Sequence, residues 1–267
     1  MEKKILEIGT LLKTDKQGFL VKIANKNKIK GRWKDSVDYL VKQYLKKIGN
    51  DKIHSIWIRG SIAKGEAIEN ISDIDSFCLI KKEEDIDKAK VSEIKSEICK
   101  KFPFITKVEM SFIPIQNLLN ESRYFGWRFT IKTQAVCVYG EDINDKIEDF
   151  EPSRILAGKI QENLRKRINQ VKEKLKNDER KTKVFCSWIM KRILRQGFIL
   201  VMDKEKAFTR DLYPCYKIFS KYYPEKEKEM KKVLKLAIYP TSDKKQINRI
   251  LDDFGEWIIK ESEEILG

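Results

Sequence analysis

One histidine, His54, stands in 267 residues. That excludes any two-histidine metal site. His54 precedes a β-rich run with no motif around it and reads as a strand-edge residue, not as part of a Ser-His or Cys-His device. The five cysteines (Cys78, Cys99, Cys137, Cys186, Cys215) contain no C-x-x-C pair. Their spacing argues against structural zinc, and their apolar settings suit buried free thiols in a reducing compartment. No apolar run is long enough to span a bilayer, and the first ten residues, MEKKILEIGT, lack a signal-peptide core. A cytoplasmic protein with no membrane partner is the expectation. Fixed-period repeats and low-complexity blocks are also missing.

What the chain has is enough hydrophobic residue, 41%, to build one large core or two ordinary ones. It also has charge of one sign, with a formal net charge of +15. Residues 1–150 hold 28 Lys and Arg against 23 Asp and Glu, and residues 151–267 hold 28 against 18. The second half therefore carries two-thirds of the excess. Such a balance suits polyanion partners, nucleic acid or phosphate-rich ligands, or lysine-rich solvated helix faces.

Two textures divide the chain. KDSVDYLVKQYLKKIG spaces Val37, Val41, Tyr44, Leu45 and Ile48 as an amphipathic helix. HSIWIRG is a short strand closed by Gly60, and after a polar loop DIDSFCLI reads as another. Residues 81–101 suit a surface helix. FITKVEMSFIP alternates, with Val108, Met110 and Phe112 on one face and Lys107, Glu109 and Ser111 on the other. QAVCVYG is a strand ending at Gly140. After Phe150 the pattern turns helical, with one long helix expected over 153–177 and breaks near 203–210, 223–224 and 239–243. Domains are expected at 1–150 and 151–267, giving an α+β protein with an N-terminal α/β domain on a mixed sheet and a C-terminal all-α bundle.

The chemistry concentrates in RGSIAKGEAIENISDIDSFCLI, residues 59–80. Asp73 and Asp75, at i and i+2 on a strand, project from one face, with Ile74 turned to the core. Two like charges held together are unfavourable alone but cradle divalent cations, and magnesium takes hard oxygen ligands. Gly60-Ser61 supplies close backbone approach, a hydroxyl and an amide donor for phosphate. Glu109, a strand-borne acid, is the candidate third carboxylate for a two-metal site. A surface acid paired with Lys107 is the plainer alternative for it.

Gly-Ser, a spacer, then Ser-Asp-x-Asp resembles the signature of the polymerase-β-like nucleotidyltransferases. Ala63-Lys64-Gly65 after Gly-Ser is similar to their minimal and antibiotic-modifying members, and a following helical domain is similar to the aminoglycoside adenylyltransferase-like ones. The loop from Ala67 to Ser72 is slightly longer than in the shortest members. The resemblance implies Mg²⁺, two ions, held by Asp73, Asp75 and Glu109. It places an NTP, ATP by default, at Gly60, Ser61 and Lys64, with Arg210 as a further phosphate contact. Glu109 is either metal ligand or general base. The implied reaction is in-line attack on the α-phosphate with loss of pyrophosphate.

The expected acceptor is a hydroxyl-bearing small molecule, an aminoglycoside-like antibiotic among the candidates. The basic second half counts against a polycationic sugar unless acids such as Glu151, Glu162, Asp178 and Glu179 line the cleft. RNA, tRNA or a protein as acceptor is the alternative, and a retired nucleotide-binding module is a third. Lys191, Arg192 and Arg195 share a helix, Thr209 is expected to cap the next one, and Trp188 and Trp257 suit helical core stripes better than base stacking.

Overall fold

A computed structural model describes residues 5–83 and 86–267. The chain forms two compact units, one of residues 21–149 and one of residues 5–20 with 150–267. Residues 5–20 thus group with the helical unit, and the junction falls at Phe150. The first element, β1 (Leu12–Lys13), belongs to that helical unit.

In the unit of residues 21–149, α1 (Gly31–Tyr44) buries Val37, Leu40 and Tyr44, as its periodicity predicts, and runs on into a π turn over 45–49. It leads to β2 (Ile53–Arg59), the five-residue α2 (Gly60–Lys64) and β3 (Ile74–Ile80). Helix α3 (Lys88–Lys101) follows. It begins later than the expected 81–101, because the Asp87 side chain accepts from the Ala89 amide and caps it there. Residues 84 and 85 of that expected span lie outside the described residues. Then come β4 (Val108–Pro114), α4 (Ile115–Asn120), α5 (Phe125–Gln134) and β5 (Ala135–Gly140).

The strands form one mixed sheet in the order β4-β3-β2-β5, with β3 and β4 parallel and the other pairs antiparallel. On one face Ile56, Ile58, Ile74, Cys78 and Ile80 pack against Val37, Leu40 and Tyr44 of α1 and Ile94 and Ile98 of α3. On the other, Trp57 stacks on Phe77 at 6.0 Å, and Trp127 of α5 covers Phe77 at 5.0 Å. Side chains alternate along a strand, so Arg59 and Asp75 emerge on the Trp57–Phe77 face.

In the helical unit, α6 (Arg154–Ile160) and α7 (Leu164–Asn177) replace the single helix expected over 153–177. The Asn163 side chain accepts from the Lys166 amide and starts a new helix, which the uninterrupted apolar stripe concealed. The buried centre is α8 (Thr182–Ile199), with Ile189, Met190, Ile193, Leu194 and Phe198 all inaccessible. After α9 (Met202–Glu205), Lys206 turns left-handed and β6 (Ala207–Phe208) pairs antiparallel with β1. Helices α10 (Leu212–Tyr222), α11 (Glu227–Ile238), α12 (Lys244–Ile250) and α13 (Glu256–Leu266) complete the unit. Trp257 is core-packed, against Phe254 at 5.6 Å and Tyr223 at 5.4 Å. Among the described residues no helix is long and apolar enough to cross a membrane.

Candidate active site

Six of the seven residues singled out above lie in the sheet-bearing unit, and strand pairing sets two of them, Asp75 and Glu109, side by side. Asp75 is the register partner of Glu109 on β4 and of Arg59 on β2. Asp73 sits one residue before β3, in a segment tied to the start of β4 by Ile74 N–H to Lys107 O (2.8 Å) and Thr106 N–H to Ser72 O (3.3 Å). Beneath the pair, the buried Ser76 hydroxyl donates to the Glu109 carbonyl at 2.8 Å and meets the Tyr44 hydroxyl at 2.9 Å. That chain fixes the β4 backbone at the acid.

Gly60 joins β2 to α2 with φ +75°, a conformation that favours glycine. A Cβ there would stand 3.1 Å from Asp75 Oδ2, so the missing side chain keeps the space beside the carboxylate open. Ser61 and Lys64 follow on α2, and Lys64 Nζ is 2.8 Å from Glu66 Oε2. Arg210 belongs to the helical unit, where its carbonyl accepts from Arg195 Nε at 3.1 Å. Thr209 does not cap α10. Its hydroxyl donates to the Thr10 carbonyl and accepts from the Asp211 amide, and Asp211 holds the cap position.

Burial pushes the Asp75 carboxyl up to about 6 despite the opposing Arg59 guanidinium, and the charges of Asp73 and Glu109 add to the rise. Glu109 is held below the usual carboxylate range, first by its hydrogen bond from Lys107. Lys107 Nζ lies 2.5 Å from Glu109 Oε1, and Arg59 Nη2 lies 3.7 Å from Asp75 Oδ1. Hard carboxylate oxygens are what a divalent cation of the magnesium class takes. A half-buried acid pressed by two like charges is an arrangement such a cation relieves, and the donor set fits it. Among the described residues, however, no three His, Cys, Asp or Glu side chains converge closely enough to hold a metal ion. Arg59 and Lys107 engage two of the carboxylates instead.

Sequence reasoning missed Arg59 and Trp127, and treated Lys107 only as a surface partner. The guanidinium of Arg59 lies 5.1 Å from the Trp127 ring centroid. Arg59 directly precedes Gly60, but only the antiparallel pairing reveals that it faces Asp75.

In the helical unit, Arg192 stacks on Trp188 at 3.9 Å and pairs with Glu162. The acids proposed for an acceptor cleft are likewise engaged: Glu151 with Lys206, Asp178 with Lys181 and Glu179 with Lys244.

Residues 39–133 match the nucleotidyltransferase domain family. No curated protein matches the sequence. Among solved structures the fold is similar to a spectinomycin adenyltransferase from Enterococcus faecialis, solved with ATP and spectinomycin. The TM-score is 0.50 and the identity 10%, over 85% of this chain and 98% of that one. The chain carries a nucleotidyltransferase domain on its mixed sheet and is a nucleotidyltransferase.

Proposed function

We propose that the protein transfers a nucleoside monophosphate from ATP to a hydroxyl of a small-molecule acceptor, releasing pyrophosphate, with Mg²⁺ held by Asp73, Asp75 and Glu109. The observation that carries this reading is the cross-strand pairing of Asp75 with Glu109 beside the open space at Gly60. When bound, the metal ions offset charge on the phosphate oxygens and align the α-phosphate. The chain's own groups do the rest. Gly60 lets the phosphates approach the backbone, Ser61 adds a hydroxyl, and Lys64 adds positive charge at the end of α2. Glu109 is the more acidic of the carboxylate pair and stays ionised near neutrality, as a ligand or a base must. Arg210 lies in the helical unit, and this reading rests on the sheet-bearing unit alone.

Support for the acceptor class comes from a fold similar to that of an enzyme solved with ATP and spectinomycin. The acids Glu151, Glu162, Asp178 and Glu179 are spent on neighbouring cations, which favours an acceptor with fewer positive charges than the polyamine aminoglycosides. The deciding assay incubates the protein and Mg²⁺ with each α-labelled NTP, against hydroxyl-bearing antibiotics and total tRNA. The expected result is label passing from ATP to a small molecule with stoichiometric pyrophosphate. Asp75→Asn should lower that rate at least about 100-fold, the scale of losing a group that acts on the reacting phosphate. Label entering tRNA alone would move the acceptor to RNA. Pyrophosphate from no combination would sink the reading.

A further inference from the structure

The carboxylate cluster brings its own cations. Arg59 and Asp75 face each other across the β2–β3 ladder, and Arg59 Nη2 lies 3.7 Å from Asp75 Oδ1. The guanidinium also lies over the ring of Trp127, which is itself packed on Phe77, and Phe77 is stacked on Trp57. Lys107 precedes Glu109 by two residues, which puts both side chains on one side of the chain, and its ammonium binds Glu109 Oε1 at 2.5 Å. Asp73 and Asp75 also act on Lys107 through charge, so this one ammonium senses all three acids.

The Glu109 oxygen that accepts from Lys107 has that lone pair occupied, and the Asp75 oxygen faces the Arg59 guanidinium at ion-pair range. A divalent ion arriving there also meets one or two positive charges at close range, in a partly buried setting where charges interact more strongly than in water. We propose that Arg59 and Lys107 are built-in counter-cations of this cluster, which a divalent metal must displace, so that the pair sets the metal affinity of the free protein. This rests on reading Asp75 and Glu109 as metal ligands. In this arrangement two of the three acids already face resident cations. It also couples metal to nucleotide, because a triphosphate brings negative charge that offsets the displaced cations, and each ligand then favours the other.

Mn²⁺ binding, followed by the loss of its free electron-paramagnetic signal at pH 8 without nucleotide, tests this. The variants are Arg59→Met, Lys107→Met and Asp75→Asn, with Lys34→Met as a charge control, since Lys34 pairs with Asp38 on α1. Arg59→Met and Lys107→Met should each bind Mn²⁺ roughly two- to ten-fold more tightly than the parent. Both should show a smaller gain in affinity on adding ATP. Lys34→Met should match the parent, and Asp75→Asn should lose the site. Lys107 is exposed, so its variant decides the matter even where Arg59→Met unfolds. Unchanged or weaker binding in the methionine variants, with Asp75→Asn still losing the site, would overturn the counter-cation role and leave the ligand reading standing. Absence of any Asp75-dependent Mn²⁺ binding would overturn both.

Discussion

Burial and neighbouring charge act on Asp75 together, and the result is measurable as stability. Its carboxyl, 26% exposed, is pushed up to about 6 in the fold from the ordinary value of 3.8. A carboxyl raised in this way holds its proton more tightly when folded. The cost to the fold is therefore absent below about pH 3.8, accumulates as pH rises, and is complete above about pH 6. It amounts to something on the order of 2–3 kcal/mol. In the presence of chelator, Asp75→Asn should be more stable than the parent at pH 8 by about 1–3 kcal/mol, with the gap closing toward pH 4 in urea unfolding. Added Mg²⁺ should stabilise the parent and not the variant. Glu109 sits the other way, held low by Lys107 on the surface. Glu109→Gln should move stability little while removing most of the activity. A pH-independent gain for Asp75→Asn would show that the charge is not what strains the site.

At the scale of elements, two glycines end strands with left-handed backbone, and they separate fold from chemistry. Gly140 ends β5 at φ +80°, where a Cβ would stand 2.2 Å from the His54 carbonyl oxygen. A main-chain atom in the ladder cannot yield, so Gly140→Ala should cost at least about 2 kcal/mol through strain and a broken β2–β5 edge. Gly60→Ala meets a side chain instead. Asp75 can swing away, so the stability cost should be nearer about 1 kcal/mol, while turnover falls much further. Thermal melts beside initial rates would distinguish the two. Equal losses of turnover per unit of stability would deny Gly60 its special place.

The four strands of the sheet were legible, because β-rich runs closed by Gly60 and Gly140 and the alternation of Val108, Met110 and Phe112 are local signals. Asp73 and Asp75 were legible as a pair for the same reason. The register that sets Asp75 beside both Glu109 and Arg59 was not, since it belongs to the pairing of strands far apart in sequence. The break between α6 and α7 was hidden differently. The apolar stripe of α7 continues the pattern that precedes it, and a single Asn163 side chain decides where the new helix begins.

At the scale of the whole molecule, the basic excess is partly answered by acids within each unit. In the helical unit Arg165 reaches both Glu256 and Glu263, Lys172 reaches Asp252, and Lys221 reaches Glu205. Exposed pairs of this kind contribute little energy, so the stability of that unit rests on apolar burial. Part of this burial comes from the beginning of the chain. Leu12 of β1 is 3% exposed and pairs with the equally buried Phe208 of β6. Thr10 donates its amide to Asp211 Oδ2 at 2.7 Å and accepts from the Thr209 hydroxyl at 2.8 Å. The segment before α10 thus has its polar groups satisfied by residues about two hundred positions earlier. Leu12→Ala should destabilise the helical unit by about 2–4 kcal/mol, the range for emptying a buried leucine site that only partly collapses. Hydrogen exchange should show the loss first in β6 and the first turn of α10. The strands β2 and β3, which belong to the other unit, should keep their protection at mild denaturant. Loss appearing equally in all of these would mean that the chain unfolds as one cooperative body, with the amino-terminal strand supporting the nucleotidyltransferase sheet as much as the helices it pairs with.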